Sequence, residues 1–161
     1  MSQPSGNSLP IWAIRDELVD LLRTQPVVVV EGATGCGKST QVPRMLFEGG
    51  VAPIGRIGVT QPRRIACLSV SHKIATDMDT EVGELVGYKM RFVDHTSPET
   101  RVKVMTDGIL IQEMQADPQL SEYDVLLIDE AHERSLNIDI ILGLLKALLR
   151  RRRDLRVVIS S

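Results

Sequence analysis

The chain has 161 residues, of which 43% are hydrophobic and 25% charged, and it carries a net charge of −2. This length and composition predict one globular domain with a buried core. The nearly balanced charge argues against a wholly basic nucleic-acid-binding module, so any RNA contact must come from local basic groups. Aromatic residues reach only 3%, which argues against a base-stacking platform within the chain.

The sequence shows no sign of a membrane or export segment. Its longest apolar runs, Val27–Val30 and Val125–Ile128, are far too short to cross a bilayer. Residues 1–8 are polar, lack the basic and apolar regions of a secretion signal, and predict a flexible tail. The two cysteines, Cys36 and Cys67, are predicted to be free thiols in a reducing compartment.

Periodicity predicts helices and strands in alternation from residue 9 onward. A helix is predicted over Leu9–Arg23, because its apolar residues recur on one face. The β-branched run Val27–Val30 predicts a strand that is buried on both faces. A helix follows from Lys38, and we expect it to be short or distorted because Pro43 removes one helical hydrogen bond.

The rest of the chain continues this alternation. Strands that alternate with helices predict an α/β three-layer sandwich with a mostly parallel sheet, and ligands at the carboxyl ends of the strands. We expect the chain to end inside its last strand. The predicted strands are Ile57–Thr60, Val86–Phe92, Val102–Thr106, Val125–Asp129 and Val157–Ser161, and the predicted helices are Arg64–Met78, Gly108–Ala116 and Ile138–Arg152.

A glycine-rich loop lies between the first predicted strand and the next helix. Residues 32–39 match the pattern G-x-x-x-x-G-K-[ST], whose main-chain N–H groups surround phosphate oxygens. Lys38 is predicted to reach the β- and γ-phosphates of ATP or another nucleoside triphosphate, and Ser39 to bind Mg²⁺. A plain turn before a helix is the alternative. The predicted nucleotide-binding residues of this loop are Gly32, Ala33, Thr34, Gly35, Cys36, Gly37, Lys38, Ser39 and Thr40.

Two carboxylates stand at the end of the apolar strand predicted at Val125–Asp129. Asp129 is predicted to hold Mg²⁺, because a hard cation prefers oxygen ligands, and Glu130 to orient the attacking water. For this acidic pair alone a solvated turn would be the favoured interpretation, but the phosphate loop upstream favours a metal and water site. His132 and Glu133 do not form a His-Glu-x-x-His pattern, so we predict no zinc.

These stretches together resemble the motifs of the DEAH-box helicases of superfamily 2. They occur in the family's order, and the resemblance extends from about residue 9 to the end of the chain. The phosphate-loop motif is shared by many NTPases, whereas the full set is specific. The matching stretches are Gly32–Thr40, Thr60–Arg64, Gly87–Phe92, Thr106–Gly108 and Asp129–Ser135, which includes the Asp-Glu-Ala-His run.

The resemblance implies the first RecA-like motor domain of an ATP-dependent RNA helicase, spanning residues 9–161. It implies that nucleotide hydrolysis drives 3′-to-5′ translocation on single-stranded RNA, and that His132 couples the nucleotide state to RNA. Arginine and hydroxyl groups that position phosphates without reading bases would suit such a motor. By themselves, the two arginines would be a solvated pair at a helix start. The implied RNA contacts are Thr60, Arg63, Arg64 and Thr106.

Two further stretches bear on the branch of the family and on localisation. Arg91–His95 and Ser135–Asp139 resemble the bacterial HrpA type, which implies a cytoplasmic protein. Eukaryotic splicing helicases share much of the pattern, and a relative of that type would be nuclear.

The chain departs from the family pattern in two ways. The family often has an arginine stacked on the nucleotide base where this chain has Lys73, and lysine lacks the planar guanidinium needed for stacking. Lys73 is therefore predicted to contact the base more weakly. Ser161 resembles the first residue of the family's Ser-Ala-Thr motif, so we expect this chain to lack the second RecA-like domain, with its arginine fingers, and the C-terminal domains.

Three interpretations remain open from the sequence. The favoured one is the motor domain of an RNA helicase that is nearly inactive in isolation, because arginine fingers are typically worth about 10³–10⁵ in rate. The second is a truncated product that binds nucleotide or RNA without turnover. The third is another P-loop enzyme, such as a small kinase or a transporter ATPase.

Overall fold

The computed structural model describes residues 9–33 and 37–161, and the predicted tail at residues 1–8 lies outside this range. The described residues form five α-helices and seven strands, with short 3₁₀ turns at Pro10–Ile14 and Ala131–Glu133. The helices are α1 Arg15–Thr24, α2 Lys38–Glu48, α3 Arg64–Asp77, α4 Asp107–Ala116 and α5 Leu136–Leu149. The strands are β1 Val27–Val30, β2 Arg56–Gln61, β3 Val86–Met90, β4 Val93–His95, β5 Val102–Thr106, β6 Tyr123–Ile128 and β7 Arg156–Ser160.

All seven strands form one sheet in the order β1-β7-β6-β2-β5-β3-β4. Every pairing is parallel except that of β4, which runs antiparallel to β3. The predicted α/β fold with a mostly parallel sheet is therefore confirmed. Neighbours such as β2 and β5 are distant in sequence order, which is how helical crossovers build a parallel sheet.

Two apolar cores lie on opposite faces of the sheet. Residues of α1, α2 and α3 pack with Ile57, Val59 and Leu127 on one face. Residues of α4 and α5 pack with Leu126 and Ile128 on the other. Because side chains alternate along a strand, adjacent residues of β6 serve opposite cores. The three predicted layers are thus present, and an almost continuous apolar run in β6 is explained by burial on both faces.

The first strand differs from its prediction. β1 pairs with β7 alone among the described strands and forms one edge of the sheet. Val27 and Val29 are 39% and 57% exposed, and Val30 alone is buried. The expectation of burial on both faces is wrong, because a β-branched run favours a strand without indicating its place in the sheet.

The helix after the phosphate loop also differs from its prediction. α2 runs for 11 residues, and Pro43 lies inside it. An interior proline costs about 3 kcal/mol. Val42, Met45 and Leu46 are completely buried, and this burial offsets that cost. The expected short helix is wrong, since α2 has the ordinary length of a helix in a globular protein.

The strand predicted over Val86–Phe92 ends two residues early, and a short strand that was not predicted follows it. β3 ends at Met90, and the chain turns at Arg91 and Phe92 before β4 begins. Phe92 has a φ of 67°, a left-handed conformation that lets the chain reverse direction there. This turn was not predicted, because the pattern Arg-Phe-Val carries none of the residues that usually mark a hairpin.

The parallel strands place their carboxyl ends along one side of the sheet, here called the carboxyl edge. It comprises the residues that directly follow β1, β2, β3, β5, β6 and β7. Loops at such an edge converge on ligands in open α/β sheets. In the part of the chain that the structure describes, no helix has the length and apolarity needed to cross a bilayer.

Candidate nucleotide and RNA site

The start of α2 has the backbone that the phosphate-loop pattern requires at Gly37. This residue has a φ of 94°, a left-handed conformation, and a Cβ there would lie 2.9 Å from Leu9 Cδ1. Glycine therefore fits where another residue would be strained. Gly32 and Ala33 follow β1, and Gln41 N–H donates to Gly37 O at 2.8 Å. The predicted residues Thr34, Gly35 and Cys36 lie outside the described residues.

The Lys38 ammonium lies between the ends of two strands. Its Nζ donates to Gly32 O at 2.6 Å and also to Ser161 O. Ser161 directly follows β7, and its N–H donates to Val30 O at 3.2 Å. Gly32 O and an oxygen of the terminal residue Ser161 thus hold the lysine at the carboxyl edge, next to β7.

Asp129 lies at the end of β6, the strand next to β7, and is only 1% exposed. Gln61 Nε2 donates to Asp129 Oδ2 at 2.5 Å, and the Glu130 N–H donates to Oδ1 at 3.0 Å. Each oxygen therefore has one donor and retains acceptor capacity for a cation. Ser39, the other predicted metal ligand, lies in the first turn of α2 at the same edge.

The segment after Asp129 is a tight turn with unusual backbone angles. Glu130 and Arg134 have φ values of 58° and 48°, and both lie in the left-handed region that non-glycine residues rarely adopt. His132 Nε2 is 3.2 Å from Glu130 Oε2. Ligand atoms of Glu130, His132 and Glu133 lie within 4.8 Å of one another. Exposed carboxylates often gather in this way without an ion, and we assign no metal to them.

The four predicted RNA-contacting residues lie along β2, β5 and the start of α3. Thr60 is the next-to-last residue of β2, and its neighbour Gln61 is paired in register with Thr106 of β5. Arg63 NH2 contacts Glu133 Oε1 at 2.6 Å. Arg64 donates to the main-chain oxygen of Arg91 at 3.2 Å. The structure brings the four to one side of the carboxyl edge, and their RNA contacts stay predictions.

Lys73 lies apart from the phosphate loop, in the second half of α3. Its Nζ contacts Asp77 Oδ1 at 3.0 Å. Asp77 Oδ2 also accepts from Gln41 Nε2 at 2.8 Å, and the same nitrogen contacts Thr40 Oγ1 at 3.1 Å. Gln41 is completely buried and accepts from Trp12 Nε1. A polar chain therefore connects the predicted base contact to the start of α2.

Asp107 is a buried carboxyl group at the start of α4. It lies close to the predicted metal ligand Asp129 and to the predicted RNA contact Thr60. Burial, together with the nearby charges of Glu133 and Asp129, raises its pKa from 3.8 to about 6. The Thr60 hydroxyl opposes this shift, although its geometry falls short of a hydrogen bond. Buried atoms without a hydrogen-bond partner in the described structure include Thr60 Oγ1, Asp107 Oδ1 and Ser160 Oγ, all at the carboxyl edge or within two residues of it.

Sequence reasoning did not single out several residues that shape this site. Gln61 and Asp107 lie within the helicase-like stretches Thr60–Arg64 and Thr106–Gly108, and each directly follows a predicted RNA contact. Their positions at strand ends are the signal by which the sequence could have indicated them. Gln41 and Asp77 gave no local signal, because their pairing joins two helices. Glu133 lies in the motif stretch Asp129–Ser135 but was given no role of its own, whereas the structure pairs it with Arg63.

Comparison with known proteins agrees with the resemblance identified from the motifs. No family model matches the sequence. The chain is 55% identical over 153 residues to the ATP-dependent RNA helicase HrpA of Borreliella burgdorferi, an alignment that covers 95% of this chain. It is 55% identical over 155 residues to the ATP-dependent RNA helicase HrpA homolog of Haemophilus influenzae, and 50% identical over 155 residues to HrpA of Escherichia coli.

The alignments cover 19% of the Borreliella protein and 12% of each of the other two. The chain therefore spans between about a tenth and a fifth of the length of these relatives. Identity of 50% or more across nearly the whole chain confirms the resemblance identified from the motifs. The chain is homologous to one segment of the HrpA-type ATP-dependent RNA helicases.

Proposed function

We propose that residues 9–161 form the ATP-binding first motor domain of an RNA helicase. In a longer protein, this domain would bind and hydrolyse a nucleoside triphosphate with Mg²⁺ to drive translocation on single-stranded RNA and unwinding. One observation carries the proposal. Lys38 contacts Ser161, which directly follows β7, and Asp129 directly follows the adjacent strand β6. An ammonium group and a buried carboxylate therefore share one part of the carboxyl edge.

The residues present suit Mg²⁺ and a triphosphate. Ser39 and Asp129 offer hydroxyl and carboxylate oxygens, which are the ligands that Mg²⁺ prefers. The bound ion would neutralise charge that develops on the phosphates. Lys38 would stabilise the same charge from the α2 side, where the helix N-terminus adds partial positive charge. Glu130 would accept a proton from the attacking water, with His132 positioning its carboxylate.

The opposite side of the carboxyl edge suits an RNA backbone. Arg63 and Arg64 would contact phosphates, with the hydroxyl group of Thr106 beside them. Thr60 is completely buried, so its hydroxyl group would support this surface from below. Phe92 adds an aromatic group to this side, although the low aromatic content of the chain did not suggest one. The residue is 92% exposed, and the guanidinium of Arg91 lies 4.9 Å from the centre of its ring. Arg64 is nearby, because it donates to the main-chain oxygen of Arg91. An exposed ring at this position would stack on a base without reading its identity.

Lys73 would provide a weak contact to the nucleotide base. Asp77 holds the ammonium group at 3.0 Å, and a lysine offers no planar group for stacking. We therefore expect the site to discriminate little among ATP, GTP, CTP and UTP. Phosphate and Mg²⁺ contacts would supply most of the affinity.

A nucleotide titration tests the proposal. We expect Mg²⁺–ATP to bind the wild-type chain and to bind Lys38→Ala at least about 30-fold more weakly, because a charge-assisted contact is worth about 2–3 kcal/mol. Lys146→Ala removes an exposed lysine of α5 and should bind like the wild type. Equal affinity of all three chains, measured by isothermal titration calorimetry, would contradict a nucleotide site at α2.

Turnover separates the motor-domain proposal from a purely binding module. We expect the 161-residue chain to hydrolyse ATP at close to the background rate, and the longer protein to be stimulated by single-stranded RNA. A steady-state ATPase assay of both, with and without RNA, checks this. Strong RNA-stimulated turnover by the short chain would contradict the division of labour between two motor domains, and none in either protein would favour the binding module.

A further inference from the structure

We propose that Glu133 competes with RNA phosphate for Arg63 and thereby sets the affinity of the domain for RNA. The inference rests on the proposed function, because it concerns the RNA contact of that same site. It adds a residue that lowers affinity to a set of residues that raise it. The ion pair Arg63–Glu133 is its structural basis.

The geometry of this pair places an anion on the arginine already. Arg63 NH2 and Glu133 Oε1 are 2.6 Å apart, the distance of a charge-assisted hydrogen bond. A carboxylate and a phosphate offer an arginine the same charge sign and the same kind of acceptor oxygen. The Arg63 side chain is 68% exposed, so an RNA phosphate can approach it from solvent. Glu133 therefore takes the contact that a phosphate would use.

The neighbouring arginine provides an internal contrast. Arg64 donates to the main-chain oxygen of Arg91, a neutral acceptor at 3.2 Å. A phosphate would displace a neutral partner from Arg64 and a charged one from Arg63. The two arginines stand next to each other at the start of α3, so substitutions at them alter net charge equally in almost the same place.

The pair also connects RNA to the nucleotide site. Glu133 ends the 3₁₀ turn Ala131–Glu133, which follows Glu130 and precedes Arg134, and these two residues both have left-handed backbones. Such conformations persist only where surrounding contacts hold them. Loss of the Arg63 contact removes one of these restraints from the turn that carries Glu130. RNA at Arg63 would thus act on the position of Glu130.

The expected effect is modest because the pair is partly exposed. Ion pairs of this kind contribute a fraction of a kcal/mol to about 1 kcal/mol, so removing the competing carboxylate should tighten RNA binding by about two- to fivefold. The probe is a fluorescently labelled oligouridylate of about 12 nucleotides, and its affinity for the chain is measured by fluorescence anisotropy at fixed ionic strength.

The experiment compares Glu133→Gln in three backgrounds. In the wild-type chain and in Arg64→Gln, we expect Glu133→Gln to tighten RNA binding about two- to fivefold. In Arg63→Gln, we expect no further change, because the residue for which Glu133 competes is absent. Glu133→Asp keeps the charge but shortens the side chain away from Arg63, and it should also tighten binding. Thermal melting of each variant verifies that it is folded.

Each outcome decides the matter. An equal gain in the Arg63→Gln background, together with no gain from Glu133→Asp, would mean general charge repulsion and would overturn the proposal. So would RNA binding by the wild type that Glu133→Gln leaves unchanged, and in that case the proposed function would stand. If the wild-type chain binds no oligouridylate and the arginine substitutions have no effect, the RNA part of the proposed function fails and this inference fails with it.

Discussion

Two halves of the carboxyl edge hold their charged groups in different ways. In the phosphate half, formed by Gly32, Lys38 and Ser161, main-chain oxygens fix the lysine. In the RNA half, Arg63 is exposed and has one ion-pair partner, and Arg64 has one main-chain partner. The first arrangement depends on the backbone, whereas the second depends on exchangeable side-chain contacts.

Asp129 joins the two halves. It directly follows β6 beside the phosphate half, yet its shortest hydrogen bond comes from Gln61, which ends β2 in the RNA half. A substitution at Gln61 should therefore remove a hydrogen bond from the predicted metal ligand Asp129. A substitution at Asp129 itself should mainly lower the affinity for the metal–nucleotide complex.

Asp129→Asn should remove the contribution of Mg²⁺ to nucleotide binding. We expect the affinity for Mg²⁺–ATP to fall by about 2–3 kcal/mol, while the affinity for ATP in EDTA changes little, because the lost carboxylate is needed only for the cation. Calorimetry with and without Mg²⁺ measures both values. Asp139→Asn, at an exposed position of α5, is the matched control and should behave like the wild type.

Gln61→Leu should destabilise the fold through Asp129. The substitution leaves a buried carboxylate without its main donor, which costs about 1–3 kcal/mol of unfolding free energy. Mg²⁺–ATP should restore part of this loss, because the cation would balance the same carboxylate. Urea unfolding with and without Mg²⁺–ATP checks the prediction, with Gln115→Leu on the exposed face of α4 as the control. Equal losses of unfolding free energy in the two variants would show that Gln61 does not stabilise the fold through Asp129.

Asp107→Asn should stabilise the protein at alkaline pH and have little effect at acidic pH. Burial raises the pKa of Asp107 in the folded state from 3.8 to about 6. Between these values the unfolded chain releases its proton first, so the carboxylate lowers stability as pH rises and does so fully above about 6. We expect the amide to add about 1–3 kcal/mol at pH 8. Thermal unfolding in EDTA at pH 4 and pH 8 measures this, and a gain of equal size at both would contradict it.

Phe92→Ala should weaken RNA binding without changing stability. The side chain is almost fully exposed, so its removal leaves the core intact. Stacking of one base on an aromatic ring is worth about 1 kcal/mol or more. Anisotropy with labelled oligouridylate measures the loss, and thermal melting provides the control. Phe92→Trp should retain the affinity, and if Phe92→Ala binds equally well then the RNA does not reach this turn.

The sequence predicted those features that local patterns specify. The apolar runs located the strands, and the glycine-rich and acidic motifs were correctly expected at strand ends, since β1 and β6 prove parallel in one sheet. Local patterns do not determine the order of strands in a sheet, so the exposed edge position of β1 was not predicted. The paths of α2 and α3 were likewise needed before Gln41 and Asp77 could be paired. The pairs Gln61–Asp129 and Arg63–Glu133 join residues about 70 positions apart, and only the fold brings them together.

The central claim is that Lys38 and Asp129 serve one metal–nucleotide complex. Mn²⁺ can replace Mg²⁺ at oxygen ligands, and its unpaired electrons broaden nearby NMR signals. Added as Mn²⁺–ATP to the isotopically labelled chain, it should broaden the amide signals of Ser39, Glu130 and Ser161 together, and only when nucleotide is present. Broadening centred instead on the separate cavity lined by His72, Tyr88 and His95, or broadening at Glu130 that is independent of ATP, would contradict the account.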